Sequence, residues 1–249
     1  MNLEEIIYGK NPVIEAIRSG RAINKIWVAE GIKPSAVKGI YEEAKKRGIV
    51  IQQVPRSRLD QAAETKNHQG ILIFLAAHSY YELDDLLRLT RQMDTPPFFI
   101  MLDGIEDPHN LGSILRSADG AGLHGVMIPK RRAAPLTPAV AKSSAGAIEY
   151  VPVARITNLS QAIDELKENG FWVIGTDANA KTDYREADYT RPTLLVIGNE
   201  GKGISRLVKE KCDFLVKLPM MGKVSSLNAS VAAALLMYEG MRQRNPLRR

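Results

Sequence analysis

The chain is short of cysteine and of long apolar runs, and each shortage removes a class of protein. A single cysteine, Cys212, stands among 249 residues. Disulfide frameworks need pairs and cysteine-based zinc sites need several, so both are excluded; a lone thiol suits a reducing cytosol. Apolar stretches such as Ile71 to Ala77 fall far below the ~20 residues of a membrane helix. Met1 to Tyr8 holds two acids and no apolar core, unlike a secretory signal. The four histidines, His68, His78, His109 and His124, lack partners at metal-ligand spacing. Neither a G-x-S-x-G elbow nor a Walker A loop occurs, which argues against a hydrolase or an NTPase. The expectation is a cytoplasmic protein with no membrane segment and no metal.

Charge is present in quantity and tilted to one sign. Lys and Arg number 34 against 28 Asp and Glu, a net +6 with a pI near 9.3. A basic balance suits a polyanionic partner such as nucleic acid. Three segments are expected. Residues 1–75 form a small α/β domain of net +4, with a helix over Asn11–Arg18, where Pro12 sits at the start and Val13, Ile14 and Ile17 follow at helical spacing. Residues 76–94, net −2, read as a short helix and a linker ending before Thr95-Pro96-Pro97. Residues 95–249, net +4, carry short apolar strands at Phe98–Leu102, Gly125–Pro129, Tyr150–Val153, Phe171–Gly175, Leu194–Gly198 and Phe214–Leu218, mostly separated by helical patterns. That alternation predicts an α/β fold with a mostly parallel sheet.

Gly120 to Gly125 matches G-x-G-x-x-G, yet a helix ends there and a strand begins, the reverse of a dinucleotide-binding turn, so it reads as a helix stop. Three other segments stand out. Leu102–Asp119 carries a strand end, Asp107-Pro108, then Asn110, which can cap the helix that follows. On that helix Leu111, Ile114, Leu115 and Ala118 make one apolar stripe, and Arg116 points away from it, either into solvent or toward a phosphate. Leu194–Ser205 runs from a buried strand into a loop with three glycines and Glu200. Ligands of open α/β sheets bind beyond such strand ends, although Glu200 also reads as a plain surface acid. Leu218–Tyr238 leaves a strand through Pro219 and Gly222, reaches Ser226 as a possible helix cap, and enters an apolar helix with Asn228 in its first turn.

These segments resemble the three signature motifs of the SpoU (TrmH-like) family of RNA ribose 2′-O-methyltransferases: D-P-x-N-x-G-x-x-x-R over Asp107–Arg116, G-N-E-G-x-G-I over Gly198–Ile204, and S-L-N-x-S over Ser226–Ser230. The first domain, with YGKNPVIEAI from Tyr8 and HQGI from His68, resembles the ribosomal-protein-like RNA-binding extension of the RlmB-type subgroup. The resemblance implies a catalytic domain closed by a C-terminal trefoil knot, an exception to the rule against threaded chains. It implies S-adenosylmethionine as methyl donor, met by Thr176, Gly198, Leu218 and Leu227. It implies catalytic roles for Asn110, Arg116, Glu200, Ser226 and Asn228. It also implies a homodimer whose site is shared across the interface, for which the helix from Ser230 to Arg242 offers Val231, Ala232, Leu235, Leu236 and Tyr238.

The implied chemistry is an in-line displacement by a ribose 2′-hydroxyl, so the protein must orient that hydroxyl and help remove its proton. The family assigns the base role to the position of Arg116, helped by the substrate phosphate. A guanidinium is not deprotonated in proteins, so gripping phosphate and stabilising negative oxygen is the physically sounder role. Glu200 is expected beside Arg116, and the three motifs are read as free of histidine. RNA contact is expected from Lys130-Arg131-Arg132, the basic first domain, and Arg242, Arg244, Arg248 and Arg249 of the tail. The subgroup implies a guanosine in 23S ribosomal RNA as target. Transfer RNA, an antibiotic-binding ribosomal site, and a non-catalytic RNA-binding assembly factor stand as alternatives, with a nicotinamide-linked dehydrogenase resting only on the glycine triplet.

Overall fold

The computed structural model describes residues 5–63 and 66–246. It divides into two compact units, Met1–Ser79 with Pro135–Ala139, and Tyr80–Ala134 with Val140–Arg249.

In the first unit, β1 (Ile6–Tyr8), β2 (Ile23–Ala29), β3 (Ile51–Val54) and β4 (Ile71–Leu75) form one sheet in the order β1-β4-β2-β3. β4 runs antiparallel to β1 and β2, and β3 parallel to β2. Side chains alternate across a strand, and both faces here are covered, which is why β4 reads as an unbroken apolar run. Ile26, Val28, Ile71 and Ile73 pack with Val13 and Ile17 of α1 (Lys10–Arg18) and Val37 and Ile40 of α2 (Pro34–Lys46). Trp27, Leu72 and Phe74 pack with Leu59 of α3 (Arg56–Ala63). The two motifs that carry the resemblance in this unit meet: the amide of Lys10 donates to Gln69 Oε1 at 3.0 Å. Buried His68 sets that turn, accepting from the Gly70 amide at Nδ1 and meeting Asp60 at 2.8 Å through Nε2.

In the second unit, α4 (Leu83–Thr90) opens on a reciprocal cap between Glu82 and Asp85. The short helix expected in residues 76–94 is present, but it is not part of a free linker, since Leu83, Leu86 and Leu87 belong to the unit's core. Seven strands follow: β5 (Phe98–Asp103), β6 (Gly125–Pro129), β7 (Val153–Ile156), β8 (Trp172–Thr176), β9 (Thr182–Asp183), β10 (Thr193–Gly198) and β11 (Phe214–Lys217). Their order is β7-β6-β5-β10-β8-β11-β9, and each pairing is parallel. The parallel α/β sheet matches expectation. The strand placed at Tyr150–Val153 is a correction: it begins at Val153, because Gly146 in the left-handed region opens a 3-10 turn over Ala147–Glu149. The helices are α5 (Pro108–Gly120), α6 (Pro138–Ser143), α7 (Leu159–Glu168), α8 (Arg206–Lys211) and α9 (Ala229–Arg244). Gly120 ends α5 and Gly122 turns at φ +70°, so the glycine triplet is a helix stop. Among the described residues, no helix is long and apolar enough to cross a membrane.

Candidate active site

Parallel register brings the ends of β5 and β10 side by side, with Asp103 opposite Gly198, and the loops after β5, β8, β10 and β11 gather at that edge. The loop after β10 is folded on itself. The Gly203 amide donates to Asn199 O at 2.7 Å and the Gly201 amide to Asn199 Oδ1 at 2.9 Å. Asn199 Nδ2 reaches Gly104 O, and the Ser205 amide donates to Asp103 Oδ2 at 2.8 Å, so two staples fix the loop to the end of β5. Sequence reasoning passed over Asn199 and Asp103; the signal was an amide and a carboxylate at adjoining strand ends. A side chain at Gly198 has no room, since its Cβ would lie 2.1 to 2.3 Å from backbone atoms of Gly203 and Ile204.

α5 and α9 run side by side and parallel: their first turns meet at Asn110 and Asn228, and ten residues on Gly120 meets Tyr238. Between the two helix starts sits the carboxylate of Glu200. Its Oε1 accepts from Asn110 Nδ2 at 2.9 Å, the Ala229 amide at 3.0 Å and Asn228 Nδ2 at 3.2 Å. Asn228 Nδ2 also donates to Asn110 Oδ1 at 3.0 Å, while its Oδ1 accepts from the amides of Ser230 and Val231. An anion at two helix N-termini is favoured by both dipoles. The three motifs are therefore joined through one carboxylate.

Two caps differ from expectation. Asp107 caps α5, accepting from the His109 amide at 2.9 Å with Pro108 at the first helical position, which leaves Asn110 inside the first turn with its side chain free for Glu200. Asn228, not Ser226, caps α9. The expected pairing of Glu200 with Arg116 is also corrected. Among the described residues Arg116 makes no hydrogen bond or ion pair, and it is exposed. Six residues at about 100° each turn it roughly 120° away from Asn110 around α5. It shares its face with Ser113 and His109, and His109 fills the variable place of D-P-x-N, so one histidine does lie within the motifs. Gly112, in the same motif, is a packing requirement: its Cβ would fall 1.8 Å from Ser143 Oγ of α6.

Beside the carboxylate opens a cavity of about 400 Å³. Thr176, Gly198, Leu218, Ser226 and Leu227 all line it, with Ile197 and Leu236, and Glu200 links it to the two asparagines. Asn110, Arg116 and Asn228 lie outside the lining. The volume suits a nucleoside-sized ligand. Apolar walls beside Asp177, Asn179 and Lys209 match a purine on a polar tail, so the residues present fit S-adenosylmethionine.

One of the tail arginines is spent inside the fold. Arg244 gives its guanidinium to the carbonyls of Tyr189, Pro96, Pro97 and Arg191 and lies over the Phe98 ring. Arg242 pairs with buried Glu239 at 2.7 Å. Arg244 therefore corrects the expected RNA contact, whereas Arg242 stays exposed on its ion pair; Arg248 and Arg249 lie outside the described residues. Of the expected Lys130-Arg131-Arg132 run, Arg131 and Arg132 are exposed beyond β6, while Lys130 is partly buried and lies 4.0 Å from Glu82.

Residues 97–238 match the SpoU rRNA Methylase family, and residues 6–81 match the RNA 2′-O ribose methyltransferase substrate-binding family. A Bacillus subtilis (strain 168) protein named as a TrmH family tRNA/rRNA methyltransferase, YacO, is 57% identical over 243 residues, covering 98% of this chain and 97% of its own. An AdoMet-bound rRNA methyltransferase from Sinorhizobium meliloti is 25% identical with a TM-score of 0.59, covering 95% of this chain and 86% of its own. A TrmH/SpoU tRNA modifying enzyme from A. aeolicus is 30% identical with a TM-score of 0.56, but covers only 65% of this chain and 84% of its own.

Proposed function

Since the chain belongs to the SpoU rRNA methylase family and is an S-adenosylmethionine-dependent RNA ribose 2′-O-methyltransferase, we propose that its substrate is ribosomal RNA, a guanosine of 23S RNA, and that it works in the cytoplasm as a homodimer. The observation that carries the site assignment is the Asn110–Glu200–Asn228 cluster beside the cavity. Ribosomal RNA is favoured because the substrate-binding match covers residues 6–81, and the rRNA methyltransferase spans nearly the whole chain where the tRNA enzyme spans two thirds.

When bound, S-adenosylmethionine supplies an already activated methyl group. Gly198, Leu218, Leu227 and Thr176 would hold it, mainly through backbone groups and apolar contact. Glu200 fixes Asn110 and Asn228 at the two helix starts, where with Ser226 they orient the ribose. Arg116 grips a phosphate flanking the target and stabilises charge developing on the 2′ oxygen. Gly120, one turn on from Arg116 along α5, meets Tyr238, which with Val231 and Leu235 forms an exposed apolar stripe on α9. A second protomer seated there lies next to Arg116, which is how the site becomes shared. Of the expected interface residues, Leu236 faces the core instead and Ala232 lines the cavity.

The test is transfer of labelled methyl to unmodified 23S RNA and to a transfer RNA pool, with Arg116→Ala in parallel. Label on 23S RNA alone, lost in the variant, supports the reading. Label on transfer RNA keeps the chemistry and overturns the substrate. Tight donor binding without label on either RNA or on pre-ribosomal particles favours a non-catalytic assembly factor.

A further inference from the structure

Asp177 follows β8 at the edge of the sheet where the site loops gather, and nothing above gives it a task. Its carboxylate lines the cavity and is largely buried. Oδ1 accepts from the Asn179 amide at 2.8 Å, and Oδ2 pairs with Lys209 of α8, which lines the same cavity. A carboxylate offers about four lone-pair sites, so both oxygens retain acceptor capacity.

We propose that Asp177 accepts a hydrogen bond from a ribose hydroxyl of the methyl donor, and that Lys209 is the residue positioning it. Among the described residues, two acids line the cavity; Glu200 is tied to the starts of α5 and α9, whereas Asp177 follows β8 and is held by Asn179 and Lys209. A diol needs an acceptor, and acids near strand ends fill that role in other parallel α/β sheets. Lys209 also selects the kind of partner. It already balances the charge of Asp177, so a neutral hydroxyl is accommodated where a second ammonium, such as the amino group of the donor's tail, is repelled. Lys209, and after it the Asn179 amide, hold the Asp177 carboxyl below its ordinary range, so it stays an acceptor at neutral pH. The inference rests on the donor-site reading above.

The experiment is calorimetric binding of S-adenosylhomocysteine and its 2′-deoxy and 3′-deoxy forms to the full chain, to Asp177→Ala, to Asp177→Asn and to Lys209→Met, each checked for folding by thermal melting. The wild type is expected to lose about 10- to 100-fold in affinity on removal of one hydroxyl, as for a hydrogen bond to a charged group. Asp177→Ala should lose a similar factor for S-adenosylhomocysteine and no longer distinguish the deoxy form, which is the coupling a double-mutant cycle isolates. Asp177→Asn should fall between, and Lys209→Met should weaken binding while keeping part of the discrimination. Undiminished discrimination by Asp177→Ala overturns the proposal and leaves the donor site standing. Failure of the wild type to bind S-adenosylhomocysteine overturns the donor-site reading and this inference with it.

Discussion

Glu200 and Asn110 stand 90 residues apart in the chain and 2.9 Å apart in the fold. The carboxylate thereby closes a circuit with Asn228 that neither helix completes alone. Removing it in Glu200→Ala leaves two side-chain amides and the Ala229 amide without their shared acceptor. The site is partly open to water, which replaces some of that hydrogen bonding, so the stability loss should stay near 1–2 kcal/mol. Activity should suffer more, because asparagines free to rotate no longer hold the ribose. A fall in kcat/KM of about 100-fold or more is expected, with Glu200→Gln, which keeps an acceptor oxygen, between the two. Single-turnover methylation alongside urea melts separates the effects; a Glu200→Ala enzyme of full activity refutes the role.

Gly198→Ala tests the closed loop. The added methyl would lie within 2.3 Å of the Gly203 backbone, which has no flexible end to swing aside. The loop must lift from the strand and break the staples through Asn199 and Asp103. Overpacking of this kind costs about 1–3 kcal/mol. Affinity for S-adenosylhomocysteine should drop at least about 10-fold, read by calorimetry, whereas a variant binding as the wild type does would show that the loop yields freely.

Arg244 illustrates a basic residue whose work is internal. Its planar fork serves four carbonyls from two loops and so ties the end of α9 to the start of β5. Arg244→Ala should destabilise the chain by about 2–4 kcal/mol, because several carbonyls lose a charged donor together. Arg244→Lys should recover little of it, since an ammonium cannot span the same acceptors. Denaturant midpoints give the loss, and RNA affinity at fixed salt should be unaffected in whatever fraction remains folded.

The fold and the site were legible to different depths, for physical reasons. The parallel sheet was readable because its strands are buried on both faces and so appear as apolar runs. α3 was not, since only Leu59 of its eight residues is buried and no apolar period exists to detect. The site residues were found by motif, but their partners were not. Asp107 and Asn228 outcompete Asn110 and Ser226 as caps, a choice decided by where each chain enters its helix. Glu200 looks like any loop acid until parallel strand register sets it between two helix starts. The tail arginines look like an RNA patch because the carbonyls that receive Arg244 leave no mark in sequence.

Cys212 gives a pH dependence of definite sign. Burial pushes its thiol up to about 12 from an ordinary 9. The unfolded chain therefore releases the thiol proton first, and stability falls as pH rises from about 9 toward 12. By pH 11 the loss reaches about 2–3 kcal/mol. In Cys212→Ala that part of the slope should vanish, although the lost side-chain packing lowers its stability at neutral pH. Urea melts of both proteins from pH 8 to 11 supply the comparison, and parallel slopes would rule the thiol out as the cause. The buried protonated thiol should also resist alkylation at pH 8 until the chain opens.

The stripe of Val231, Leu235 and Tyr238 bears on assembly. These residues are 47%, 41% and 46% exposed at successive turns of a helix whose opposite side buries Leu236 and Met237. Exposed apolar residues in a row along one helix face are a candidate interaction surface, and Tyr238 meets Gly120, one turn on from Arg116 along α5. Leu235→Glu places a charge in the middle of the stripe without touching the donor cavity. Light scattering should then report a particle of about half the mass, with binding of S-adenosylhomocysteine kept within a few-fold. Methyl transfer should nevertheless fall by orders of magnitude, because Arg116 would face solvent in place of a neighbouring protomer's site. A monomer that still methylates RNA at the wild-type rate would mean that one chain holds the whole active site, and that the stripe serves another purpose.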